Sequence, residues 1–229
     1  MSVERPQTGI SSEGIKVTQE NIVRSIEEGV RLAHEYFKDN VARKLSIELH
    51  QSLKPIFIRD GSDPTMLDEF RKTPGCYSVK EGKMFINIDP DNPRSLLNLL
   101  KKLAGPKDTE RRTRVISIFI AIHEYTHHIQ ALNKQFEDLT FQELVRLEEQ
   151  ADYYAGKVLN YHSLFKNILS GQDEDAIFEF ISLVGSDVDV EHIPGFIMDI
   201  KTEGGHGMGV IRKQNFFDGY TGVKSRLDF

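Results

Sequence analysis

His123-Glu124-Tyr125-Thr126-His127 sets two imidazoles four residues apart. On an α-helix that spacing puts both rings on one face, one turn apart, so both can reach one metal ion. Glu124 then projects to an adjacent side, where a carboxylate can meet metal-bound water. Imidazole nitrogen suits zinc, which favours tetrahedral sites with one position open for chemistry. The five residues form the H-E-x-x-H pattern of zinc hydrolases. They follow the apolar run Val115–Ile122, and a buried His-Glu-His group needs a polar reason to be there. The expectation is one Zn2+ per chain, with Glu124 as general base toward a peptide carbonyl.

A catalytic zinc takes a third protein ligand. Glu148, in Glu148-Glu149-Gln150-Ala151-Asp152, is the candidate. On a helix it shares a stripe with Leu144, Ala151 and Ala155, which is expected to face the core. Glu149, the neighbouring alternative, points about 100° away, toward the polar side of Gln142 and Arg146. Asp152 lies one turn beyond Glu148, placed to accept the second N–H of a ligating histidine and fix its tautomer. His206, among the glycines of Gly204–Gly209, is the expected donor to a developing oxyanion, because glycines permit close backbone approach. Tyr153 and Tyr154 are lesser donor candidates. His128 is rotated off the metal face, His34, His50, His162 and His192 lack metal-ligand spacing, and Cys76 reads as a small packing residue.

The runs Ala121–Gln130 and Leu147–Gly156 resemble the predicted neutral zinc metallopeptidases of bacteria, which carry H-E-x-G-H-H-x-Q followed by E-x-Q-A-D-x-x-A-G. The similarity extends to Gly185-Ser186-Asp187 and to Gly205-His206-Gly207 with Arg212, Phe216 or Phe217, and Gly219, which is similar to that family's late H-G-x-x-x-x-R segment. It covers about residues 115–220, near half of the chain. Thr126 stands where the family usually has Gly, and Tyr153 where many members have Cys. The resemblance implies a gluzincin-like site: His123, His127 and Glu148 as ligands, Glu124 as base, Asp152 behind a ligand.

These residues need elements to hold them. Ile22, Ile26, Val30, Ala33 and Phe37 recur at helical steps after Thr18, a plausible N-cap. Pro55-Ile56-Phe57-Ile58 reads as a short strand. Residues 75–89 read as a hairpin turning at Glu81-Gly82-Lys83, with Met84–Asp89 as the candidate sheet edge to which an extended peptide would add. Leu96, Leu97, Leu100 and Leu103 mark a helix stopping at Gly105-Pro106. The metal-site helix is expected over 112–133. Thr140-Phe-Gln-Glu143 is a capping box opening a helix to about Tyr161. Further helices are expected over about Glu174–Val184 and Gly209–Phe217.

Taken together, the elements predict an α+β, zincin-like architecture: a small mixed or antiparallel sheet lobe and a helical lobe, with the H-E-x-x-H helix between them. Residues 1–17 are expected to form a polar tail, and 18–229 a single metallopeptidase domain. The 29 Lys+Arg against 35 Asp+Glu leave a charge of −6, which argues against a nucleic-acid or anionic-membrane binder. One cysteine excludes a disulfide framework and fits a reducing compartment. No signal peptide is visible, and the eight residues Val115–Ile122 are too few to span a bilayer. The expectation is a cytoplasmic enzyme acting on a peptide or protein substrate. Two rivals stand beside it: a catalytically silent zinc-bound module that binds a peptide or protein, and a dedicated regulatory protease with one protein target.

Overall fold

Thr18 accepts a hydrogen bond from the Asn21 amide at 3.2 Å and opens α1 (Gln19–Asn40). The apolar positions of its periodic stripe, Ile22, Ile26, Val30, Ala33 and Phe37, are all buried. Their common partner is α4 (Thr109–Leu132), which lies against α1 along its length. In this computed structural model residues 17–61, 73–103, 109–136, 139–162, 171–186 and 205–229 are described, without the side chains of Phe141, 171–174, 184–186 and 205–210. The polar tail and the Gly105-Pro106 stop fall essentially outside those residues.

Every residue of α4 from Val115 to His127 is buried. A helix hydrophobic around its whole circumference belongs at the centre of a fold, and this one is covered by α1, by α5 (Phe141–Tyr161), by α6 (Gly171–Ser186) and by strands. The capping box at Thr140 and Glu143 is formed in both directions and starts α5. The one-turn α2 (Ala42–Leu45) follows α1, and α3 (Leu96–Leu103) buries Leu96, Leu97, Leu99 and Leu100. One core runs through residues from α1, the sheet and α3 to α7, with α4 packed between the sheet on one side and α5 and α6 on another.

Among the described residues the sheet has three strands, β1 (Ile56–Ile58), β2 (Gly75–Ser78) and β3 (Lys83–Asn87). β2 and β3 form the antiparallel hairpin, with Gly82 at φ +64° in its turn, where a glycine carries no steric cost. β1 pairs parallel with β3, giving the order β1-β3-β2. This corrects the expectation that Met84–Asp89 is a sheet edge: β3 is the central strand, bonded on both sides. Its burial at Met84, Phe85, Ile86 and Asn87 is that of an interior strand. β1 and β2 are the outer strands, and β2 with β3 lies against α4. On the other face, Cys76 packs against Ile58 and Phe85, as a small packing residue should.

The last helix, α7 (Gly205–Thr221), begins earlier and ends later than its pattern suggested. Glycine weakens a helix by only about 1 kcal/mol, and α7 packs along α5 and α6 over its length. Gly219 does not end the helix. It is a point of close approach: a Cβ there would sit 1.9 Å from the Tyr153 carbonyl oxygen, and one at Gly156 would sit 2.1 Å from the Phe216 carbonyl oxygen. Both contacts are with backbone, so only glycine lets α5 and α7 come this close. The fold is thus mixed α+β, mostly helical, with one small mixed sheet.

Candidate metal centre

α4 presents His123, Glu124 and His127 on its buried surface. The two ring Nε2 atoms converge to 3.2 Å. Glu148, from α5, brings Oε2 to 3.2 Å from His123 Nε2 and Oε1 to 3.3 Å from His127 Nε2. These three residues form a group that could hold a metal ion. The side chain of Glu148 is 49% exposed, so its stripe is buried only from Ala151 onward and opens to solvent at Glu148. The cation partners that this carboxylate lacks in its own helix are the two imidazoles.

Each histidine is held from behind by a different kind of partner. His123 Nδ1 lies 2.9 Å from Asp152 Oδ1, the contact expected of Asp152; the ring N–H is not aimed squarely along it. Asp152 is fully buried and is gripped in turn by Arg212 of α7, whose Nε and second terminal nitrogen donate to the two carboxylate oxygens at 2.6 and 3.1 Å. A forked guanidinium matches a carboxylate edge to edge. Behind His127 stands Gln130, whose Oε1 lies 2.7 Å from Nδ1. The Gln130 amide nitrogen donates to the Leu147 carbonyl and to Gln150 Oε1, both at 2.9 Å. Two acceptors at that end leave the Gln130 oxygen facing His127, so Nδ1 carries the proton and Nε2 presents its lone pair to the centre.

Electrostatics follow from burial beside opposite charge. Burial pulls both imidazoles down, but Asp152 and Glu148 outweigh it for His123, which is pushed up to about 10. Glu148 does the same for His127, which is also raised. Burial raises Glu148 and Asp152, yet His127 and His123 hold Glu148 well below the usual range, and Arg212 with His123 holds Asp152 low. Glu124 is the exception. Burial raises its carboxyl and the imidazoles only partly offset that. Among the described residues no side chain hydrogen-bonds it. A cationic charge therefore belongs at the convergence of His123, His127 and Glu148, supplied by protons or by a metal, with a proton-accepting carboxylate beside it.

The remaining expected residues fall as follows. Glu149 is nearly buried and faces Arg226 at 3.8 Å; it does not lie on a solvated polar side. His128 Nδ1 meets the Tyr77 hydroxyl at 3.0 Å, off the metal face. Tyr153 donates to the Val223 carbonyl and Tyr154 accepts from the Phe229 amide. Both hydroxyls point to the segment 223–229 and neither faces the centre, which removes them as oxyanion donors. His206 lies in the first turn of α7, and its side chain is outside the described residues. Arg212, Gln130 and Gln150 were visible in the motifs without a role. Polar residues in buried stripes, Gln130 one turn after His127 and Gln150 beside Leu147, are the signal that marks them.

No protein-family model, curated protein or solved structure matches this chain. Among the described residues no helix is long and apolar enough to cross a membrane.

Proposed function

We propose that this chain is a zinc-dependent metallopeptidase of zincin-like architecture. The observation that carries the reading is the convergence of His123 Nε2 and His127 Nε2 to 3.2 Å, with one Glu148 oxygen 3.2 Å from the first and the other oxygen 3.3 Å from the second. A tetrahedral zinc with bonds of about 2.0–2.1 Å sets its ligands about 3.3–3.4 Å apart, so the two imidazole nitrogens already stand near the spacing such an ion requires, with a carboxylate oxygen at a similar distance from each. The resemblance of Ala121–Gln130 and Leu147–Gly156 to bacterial zinc metallopeptidases supports the same reading. Zinc held there supplies an acidified water and a Lewis acid toward a carbonyl.

The chain's own residues do the rest. His123 and His127 present Nε2 lone pairs, kept in that tautomer by Asp152 and Gln130. Glu124 accepts a proton on its carboxylate as water attacks, then returns it to the leaving amine. Its upward-shifted carboxyl suits that exchange, since a base works best with a pKa near the operating pH. His206 is the proposed donor to the oxyanion; it sits on the helix that anchors Asp152 through Arg212. The peptide is placed along β2. A Cβ at Gly75 would lie 3.7 Å from Glu124 Cγ, so β2, an outer strand of the sheet, runs beside the base, and an extended chain can add to an outer strand by main-chain hydrogen bonds.

Glu124 also separates this reading from a silent binding module, which needs the ligands and no base. The test is Glu124→Gln against a panel of unstructured peptides. The expected result is unchanged zinc content with hydrolysis lost; full activity in the variant contradicts the mechanism. Cleavage by the native chain across the panel supports a general peptidase, and cleavage of one protein alone supports the dedicated protease.

A further inference from the structure

The partner behind His127 does not end at Gln130. Gln150 accepts from Gln130 through Oε1 at 2.9 Å, and its own amide nitrogen donates to the Leu227 carbonyl at 2.8 Å. Gln130 is fully buried and Gln150 nearly so, so neither amide can exchange its partners for water without cost. A backbone carbonyl can only accept. It therefore fixes which end of Gln150 faces it, which fixes the oxygen end toward Gln130, which helps fix the oxygen of Gln130 toward His127 Nδ1. The direction runs from residue 227 to a candidate metal ligand with no titrating group along the way.

The residues around Leu227 are held on the side that faces α1 and α5. Phe229 donates its amide to the Tyr154 hydroxyl at 2.8 Å, and its ring lies against Phe37 and Tyr154. Asp228 receives the Lys157 ammonium and the Tyr153 hydroxyl. Arg146 donates to the Arg226 carbonyl at 3.0 Å. All the α5 residues here, Arg146, Gln150, Tyr153, Tyr154 and Lys157, lie on the helix that also delivers Glu148 and Asp152. The segment thus reaches the centre through one amide pair while its other contacts hold it in place.

We infer that the segment 223–229 positions the metal ligand His127 through Gln150 and Gln130, and that docking of this segment and metal binding are coupled. The inference rests on the metal-centre reading above. Coupling between two sites is reciprocal, so zinc should tighten the segment and loosening the segment should weaken zinc. Gln130 and Gln150 are positioning residues, since neither touches the ion.

The experiment uses the full chain, freed of metal and titrated with zinc against a chromophoric chelator, with hydrogen exchange of residues 223–229 measured in both states. In the native protein zinc is expected to slow exchange across that segment. Gln130→Leu removes the acceptor from His127 and is expected to lower zinc affinity by about 10- to 100-fold and to abolish the slowing. Gln130→Glu splits the two roles: a carboxylate still accepts from His127 Nδ1 but cannot donate to Gln150. Zinc affinity should stay within about threefold of native while the slowing is lost, a separation that a purely structural role for Gln130 does not produce. Asp228→Ala, remote from the ligands, should loosen the segment and weaken zinc several-fold, which keeps the test open if Gln130→Leu fails to fold. Zinc binding to the native chain without slower exchange in 223–229, or equal slowing in Gln130→Glu, overturns the coupling alone. A native chain that takes up no zinc overturns the metal centre and the coupling together.

Discussion

At the scale of single residues the centre is a balance of charge. Asp152 is the residue on which most depends, because it touches both a candidate ligand, His123, and a buried cation, Arg212. Asp152→Asn keeps the size and loses the charge. Arg212 is then left largely buried without its anion, and breaking such a pair by removing one partner costs about 3–5 kcal/mol. The expected outcome is a marked fall in the denaturant midpoint together with weaker zinc binding. Protonation gives a second expectation, for the metal-free protein. His123 is raised from 6.5 to about 10, so its contribution to stability is complete below pH 6.5 and lost as pH climbs through about 10. Glu148 and Asp152 are lowered from 4.5 and 3.8, so theirs is present above those values and lost as pH falls further. Thermal unfolding in chelator should peak between about pH 4.5 and 6.5 and decline toward pH 10; a profile flat from 6.5 to 10 contradicts the assignment. Zinc uptake at pH 7 should release protons, since the metal displaces the one on His123. Sequence spacing made His123, Glu124, His127, Glu148 and Asp152 legible, because i, i+4 neighbours on a helix are local facts. Arg212, 60 residues from Asp152, is brought there by packing between helices, which no local pattern encodes.

At the scale of elements the site depends on how closely α5 and α7 approach. Asp152 and Gly156 are one turn apart on α5, and Arg212, Phe216 and Gly219 follow one face of α7. The glycine contact and the Arg212–Asp152 pair are therefore two parts of one interface. Gly156→Ala places a methyl group within 2.1 Å of the Phe216 carbonyl oxygen and 2.6 Å of the Tyr220 nitrogen. Neither backbone atom can move without the helix moving. Overpacking of this kind costs about 1–3 kcal/mol or more, and it should also weaken zinc by drawing Arg212 off Asp152. Gly61→Ala, whose Cβ among the described residues would meet Asp89 Oδ2 at an ordinary 3.5 Å, is the control expected to do neither. Helices and the hairpin were legible because periodicity and turn residues act over a few positions. Strand order was not. The parallel pairing of β1 with β3 joins residues about 29 apart in sequence, and it covers the side of Met84–Asp89 that the hairpin leaves open. The Gly-rich start of α7 does not read as helix in the sequence, because propensity speaks before packing does.

At the scale of the whole molecule the centre sits where α4, α5, β2 and, through Arg212, α7 come together, and one core connects them. A ligand that binds only the folded state stabilises it by RT ln(1 + [L]/Kd), about 2.7 kcal/mol at one hundred times Kd. Chelation should therefore lower the melting temperature of the native protein, and leave Glu148→Ala unmoved because that variant has already lost its third ligand. The central claim is that His123, His127 and Glu148 hold zinc. The most direct measurement is elemental analysis of the purified native chain beside Glu148→Ala, each assayed after dialysis against trace zinc. The expected result is about one zinc per chain in the native protein and little in the variant. No zinc in the native protein after reconstitution, or equal zinc in both, contradicts the account.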